Sequence, residues 1–502
     1  MPVTGSLDLQ QPGQDTETRN PKPETRNSLH MMTEQHSFKP SLSLLDATML
    51  VSGGMIGSGI FIVSADITRN TGSAGWLILV WIITGFMTIT AALSYGELSG
   101  MFPKAGGQYI YLKEAWGRLP AFLYGWSFFT VIQTATIAAV GVAFAKFTAY
   151  LIPGCSEDLV AADLGFLQIS PAQLLSIGII FLLTLINTRG VKNGKILQTT
   201  FTLTKIGSLF GLIIFGFVAS KPEVWNANWT NAWELRRLSQ GGTIEQYTSI
   251  AAMGAIAAAM TGSIFSSDAW NNVAFIAGEI KNPKRNIGLS LFLGTLIVTV
   301  IYVLANVMYT SVLTLQQITA AEKDRVAVAA AHEIFGNAGT DIIAIMIMIS
   351  TFGCNNGLIL SGARAYYTMA NDGLFFRKAG RLNNAAVPSF ALWIQCIVAA
   401  AWSLSGKYGE LLDMISFVVV GFYMLTITGI FRLRKTHPGI DRPYRAFGYP
   451  VLPLLYILMG MSFCILLIIY KPKFTWPGLI ITLIGIPVYY LMSRKNNSGK
   501  NT

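Results

Sequence analysis

The stretch that decides the fold is Ser52-Gly53-Gly54-Met55-Ile56-Gly57-Ser58-Gly59-Ile60-Phe61. It lies in the middle of an apolar run, 45–68. Crossing a bilayer takes about 20 mainly apolar residues, so this run is long enough. Gly and Ser at that density weaken a helix halfway along. Irregular backbone at membrane depth is tolerated only where it lines a cavity. The alternative reading is close helix packing through small residues, which is common in membranes. A second stretch favours the break. Thr261-Gly262-Ser263-Ile264-Phe265-Ser266-Ser267-Asp268-Ala269-Trp270-Asn271-Asn272 also sits in mid-run and carries a carboxylate. So polar a segment does not suit a lipid-facing helix.

Composition agrees with a chain dissolved mostly in lipid. Of 502 residues, 52% are hydrophobic and only 12% charged, with mean hydropathy +0.50. A soluble domain carries about 25% charged residues. A soluble enzyme, a disordered chain and a nucleic-acid binder are thereby excluded. Twelve apolar runs are long enough to be spans: 45–68, 75–99, 119–150, 171–187, 196–219, 249–277, 287–314, 341–369, 388–405, 411–431, 449–470 and 475–493. The two glycine- and serine-rich stretches fall in the first and the sixth. Interruptions at matching places in two groups of five are what an inverted repeat of five plus five produces. The domain map is therefore a polar tail (1–40), a first repeat (41–219), a connection (220–248), a second repeat (249–432), two more spans (433–493) and a short tail (494–502). The N-terminal tail has no apolar segment of the signal-peptide kind. Met31 and Met32 are conceivable alternative starts.

Charge sets the expected orientation. With both termini on one side, 24 of the 36 Lys and Arg fall on that side, nine on the other and three within runs (Lys146, Lys205 and Arg364). Positive charge marks the cytoplasmic side. Trp225, Trp229 and Trp233 in the long connection suit the opposite interface. Neither a disulfide framework nor a metal site is expected. The four Cys (155, 354, 396, 464) form no CxxC pair, and all four His lie outside the runs. No cofactor is implied.

A break supplies chemistry of its own. A half-helix beginning near Gly57-Ser58-Gly59 offers N–H groups and a positive dipole end to a carboxylate. Carbonyls ending the first half of the sixth run accept hydrogen bonds from an ammonium. Both ends of a zwitterion are then held without charged side chains.

The strings GGMIGSGIF, NTGSAG and ALSYGELSGMFPKAGGQYIYLKEAWG resemble the amino acid–polyamine–organocation transporter superfamily, in particular its L-type amino acid transporter branch. AWNNVAFIAGEIKNPKRNIGLS, STFGCNNGLILSGARAYYTMANDG and RPYRAFGYP agree in order and spacing, so the resemblance covers roughly 42–493. It implies an all-α membrane protein of LeuT-like fold with twelve transmembrane helices, the first and sixth broken, and transport of amino acids by alternating access. Ile56, Gly57, Ser58 and Gly59 match the carboxylate-binding break. Phe265 matches the bulky residue that closes over the substrate. Ser266, Ser267 and Asp268 match the unwound segment facing the α-amino group, and Asn271 a pocket position. Asp268 departs from the animal members, which usually have Gly there. It adds an ammonium ligand, favours a cationic side chain, or turns away to cap backbone.

Lys205 is the sharpest single residue. A lysine near mid-membrane is costly and usually functional. Snorkelling is weakened as an explanation, because Lys205 lies ten residues, or about 15 Å of helix, beyond Lys195 at the interface. By resemblance it occupies the place of a sodium ion in sodium-independent members, bridging the broken first span to the eighth through Ser350 and Cys354. A desolvated lysine is also a candidate for proton coupling. Glu97, Glu279 and Arg364 form either an inner gate or structural pairs, and Lys146 is expected to snorkel. Cys155 stands in the loop where animal members bond a single-span glycoprotein partner, but a lone cysteine does not imply one here. Asn228-Trp229-Thr230 is a formal glycosylation sequon.

The expected function is sodium-independent exchange of neutral L-amino acids in a plasma membrane, a bacterial inner membrane in view of the resemblance. Proton-coupled uptake of cationic amino acids or polyamines is the rival within transport. A membrane-embedded enzyme or receptor is the rival outside it, disfavoured by the lack of a nucleophile–base pair or His/Asp metal set within the runs.

Overall fold

The computed structural model describes residues 40–498, apart from 164, 166, 167, 406 and 407. The tail expected over 1–40, with Met31 and Met32, falls outside this range but for Pro40, as do the last four residues.

The first run begins at a capping box. The Ser43 hydroxyl accepts from the Asp46 amide, and the Asp46 carboxylate accepts from the Ser43 amide, satisfying two donors that open the helix Leu44–Met55. That helix stops at Ile56, and the chain resumes as Gly59–Ile62 and Ser64–Thr71, ending in left-handed Gly72. The sixth run behaves likewise. Helix Ser249–Ser266 ends, Ala269 turns the chain at φ 63°, and Trp270–Glu279 continues with the tighter 3₁₀ winding. Both expected interruptions are therefore present, and the second half of the sixth run is not α-helical.

Among the described residues, ten helices are long and apolar enough to cross a membrane. The expected twelve included the interrupted sixth run and Ser389–Ser405, which is apolar but shorter. The most enclosed span is Arg118–Leu151, 89% buried in its apolar window, and the least is Thr475–Met492 at 17%. The first belongs at the centre of the bundle and the last at its lipid-facing rim, where Leu483 and Ile484 are exposed. Helices Ala74–Met101 and Pro283–Val312 share a long contact beside the first run.

Charged residues close the end of the bundle that carries most of the Lys and Arg. The amides of Ser41 and Leu42 donate to Glu279 O at 2.8 and 2.9 Å, and the Lys281 amide donates to Leu42 O at 2.9 Å. These bonds stitch the start of the first run to the end of the sixth. Buried Arg364 donates to Glu279 at 2.8 Å. Glu97 takes a different partner. Its carboxylate accepts from Arg434 at 3.0 and 2.6 Å and from the Ala446 amide at 2.7 Å, with Arg442 3.6 Å away. Glu97 therefore anchors the connection after the tenth run and does not join the Glu279–Arg364 pair.

The opposite end is open. A cavity of about 840 Å³ is lined there by Asp66, Arg69, Lys146, Asp324, Asp413 and Lys471, among others. Lys146 faces this cavity instead of snorkelling along lipid, because its helix lies inside the bundle. On the rim, Lys323 pairs with Asp158, and its ammonium holds that carboxyl below the usual carboxylate range. The sequon residue Asn228 is buried. Its amide nitrogen donates to Thr310 O and Leu313 O at 2.9 and 2.8 Å, which uses both hydrogens.

Candidate functional site

The interruption in the first run leaves carbonyls that a continuous helix would have used. Three side chains from two other elements meet them. The Lys205 ammonium donates to Ile56 O at 2.7 Å and to Gly53 O. It is fully buried on helix Val191–Val218. Cys354 Sγ donates to Gly54 O at 3.1 Å. The Ser350 hydroxyl lies 3.4 Å from both Ile56 O and Gly57 O. Ser350 and Cys354 are four residues apart on one face of Asn337–Asn371. Lys205, Ser350 and Cys354 are thus gathered on the same few carbonyls.

The two interruptions touch. A Cβ on Gly59 would lie 1.8 Å from Ser266 Oγ, so only glycine permits this approach. Gly57 faces Cys354, whose sulfur would be 3.1 Å from an added Cβ. Tyr302, from helix Pro283–Val312, completes the junction. Its buried hydroxyl is 2.9 Å from Met55 O and 3.1 Å from Ser266 O, the last carbonyls of the two first halves. Its ring stands edge-on to Trp81, with centroids 5.1 Å apart. The sequence reading missed Tyr302, since a tyrosine in an apolar helix carries no signal of its own.

The rest of the expected set lies one step further along. Asp268 and Asn271 line a small buried cavity with Gln108, Tyr124, Gln133 and Thr136. Asp268 also walls a second cavity, with Ser267, Thr84, Thr88, Trp270 and Tyr456. Its carboxylate accepts from the Tyr423 hydroxyl. Tyr95, Trp270 and Tyr423 form an aromatic group beside it, with centroids 4.8 to 5.9 Å apart. The amide nitrogen of Asn271 donates to Gln108 Oε1 at 2.9 Å. Ile56, Gly57, Ser58, Gly59, Phe265 and Ser266 line neither of these two cavities, although all are buried. Tyr423, Tyr124 and Gln108 are further residues that sequence reasoning did not select.

Two interrupted helices meeting in a buried polar junction, inside a bundle of apolar spans, define a membrane transport protein. The chain belongs to the amino acid permease family, whose model matches residues 42–489. Curated relatives agree along nearly the whole chain. It is 28% identical to the human b(0,+)-type amino acid transporter 1 over 482 residues, 95% of this chain and 93% of the relative. It is 29% identical to the human large neutral amino acids transporter small subunit 2, over 91% of this chain and 81% of that one. The serine/threonine exchanger SteT of Bacillus subtilis is 29% identical over 93% of this chain and the whole of its own length. The family and these relatives are transporters and not enzymes.

Proposed function

We propose that this permease exchanges neutral L-amino acids across a plasma membrane without sodium, both termini being cytoplasmic. The observation that carries the reading is the Lys205 ammonium, held by Gly53 O and Ile56 O at the interruption of the first run. A tethered positive charge satisfies carbonyls that otherwise call for a mobile cation. Ser350 and Cys354 support it from the far side. The substrate carboxylate is read by backbone N–H groups at Ser58 and Gly59, beside Gly57, whose own amide donates to Met55 O at 2.8 Å, and the α-amino group by the end of the first half of the sixth run at Ser266 and Ser267. Ile56 and Phe265 flank these groups, and Asn271 presents a polar side chain to the pocket. Exchange fits the likeness to SteT, a serine/threonine exchanger. The reading includes no disulfide-bonded glycoprotein partner. Among the described residues, Cys155, at the end of the short turn Pro153–Cys155, is the one free cysteine that is not buried.

The test is uptake of labelled amino acid into proteoliposomes with sodium replaced by choline. Retained uptake supports the proposal, and loss of uptake overturns it.

One observation favours a second reading, proton-coupled uptake of cationic amino acids or polyamines. Asp268 is a buried carboxylate between two cavities, and it accepts from the Tyr423 hydroxyl rather than from a cation. A buried charge needs a partner, and a substrate cation would supply one. Under the exchange reading, Asp268→Asn retains neutral amino acid exchange. Under the second, it abolishes uptake of arginine driven by an imposed pH gradient.

A further inference from the structure

Gln108 opens the helix Gln108–Trp116 directly after Gly106 and Gly107, which stand at φ 109° and 45°. A Cβ on Gly107 would lie 2.9 Å from the Phe275 ring and 3.0 Å from the Ala274 backbone. Glycine there lets the turn press flat against Trp270–Glu279 and delivers the Gln108 side chain into the bundle. That side chain is 1% exposed. Its Oε1 accepts from Asn271, and its Nε2 donates to Thr426 Oγ1 at 3.0 Å. Thr426 in turn donates to Phe422 O at 2.8 Å. The direction of every bond is therefore set, from Asn271 through Gln108 to the helix Tyr408–Thr436. Tyr124 lines the same small cavity as Asn271 and Gln108.

We propose that Gln108 is a positioning residue for transport. It holds the Asn271 carboxamide in the one orientation that suits the substrate, with nitrogen turned to Gln108 and oxygen left to accept from the substrate ammonium. The proposal rests on the reading of Asn271 as a pocket residue. The relay joins three elements, and one of them, Trp270–Glu279, runs from Asn271 to the backbone stitch between Leu42 and Glu279. Alternating access requires that end to open, and movement of Trp270–Glu279 away from Gln108 breaks the relay. Gln108 thus ties the substrate-ready orientation of Asn271 to closure of the cytoplasmic end.

The test is amino acid exchange in oriented proteoliposomes for Gln108→Met, Asn271→Ala and the double variant. Methionine keeps length and packing but neither accepts from Asn271 nor donates to Thr426 as the amide does. Gln108→Met is expected to raise the external KM about three- to tenfold, the loss of one net buried hydrogen bond, with kcat little changed. The internal KM, measured on the open cytoplasmic end, moves less. In the Asn271→Ala background, Gln108→Met adds nothing further. Additive effects, or equal changes on both faces, overturn the positioning role while leaving the pocket reading intact. A wild-type KM for Asn271→Ala overturns both. If Gln108→Met does not fold, Thr426→Val loosens only the far end of the relay. It is expected to raise the external KM in the wild type and not in Asn271→Ala, and a wild-type KM contradicts the proposal.

Discussion

Lys205 carries the sodium-independence argument on one side chain. Its ammonium is stabilised by two carbonyl oxygens that have lost their helical partners, so the cost of burying the charge and the cost of breaking the helix offset one another. Removing it exposes that balance. Lys205→Ala leaves buried Gly53 O without its donor, costing about 1–3 kcal/mol, and leaves Ile56 O with only the 3.4 Å contact from Ser350. Exchange turnover in proteoliposomes is expected to fall at least about tenfold at equal protein loading. Wild-type rates in that variant would remove Lys205 from the mechanism. Asp268 shows the opposite situation, a buried acid held by a tyrosine hydroxyl, and its role is the chief difference between the two transport readings.

At the scale of elements, the contact between the two interruptions has a steric requirement that substitution can probe. In Gly59→Ala the new methyl group meets Ser266 Oγ, and the two half-helices are forced apart. Exchange is expected to be lost in Gly59→Ala and partly restored by adding Ser266→Gly. Failure of the second change to restore anything would contradict the steric account. The interruptions were legible in the sequence because the cause is local: Gly, Ser and Asp in mid-run, against an apolar background. The residues that serve them were not. Tyr302 lies 247 positions from Met55, and Arg434 lies 337 from Glu97. Lys205 was found only because charge inside an apolar run is conspicuous by itself. Tyr302, Tyr423 and Gln108 are ordinary in composition, and only packing reveals them. The winding of Trp270–Glu279 was illegible for a similar reason, since tertiary contacts decide it.

Across the whole molecule, one end is stitched shut by backbone bonds and buried ion pairs, while the other holds a cavity of about 840 Å³. Arg364→Met leaves Glu279 as a buried charge without its guanidinium, a loss of about 3–5 kcal/mol. Its melting temperature in detergent is expected to drop, and adding Glu279→Gln to recover most of the drop. An equal or larger drop in the double variant would contradict this. Transport then requires the stitched end to open and the cavity end to close around a bound amino acid. The most direct test of the central claim, exchange without sodium, is efflux from proteoliposomes preloaded with a radiolabelled neutral amino acid, in choline buffer at equal pH on both sides. We predict rapid efflux when unlabelled amino acid is present outside and little when it is absent. Efflux that ignores the external amino acid, or that appears only when sodium is added, would contradict the account.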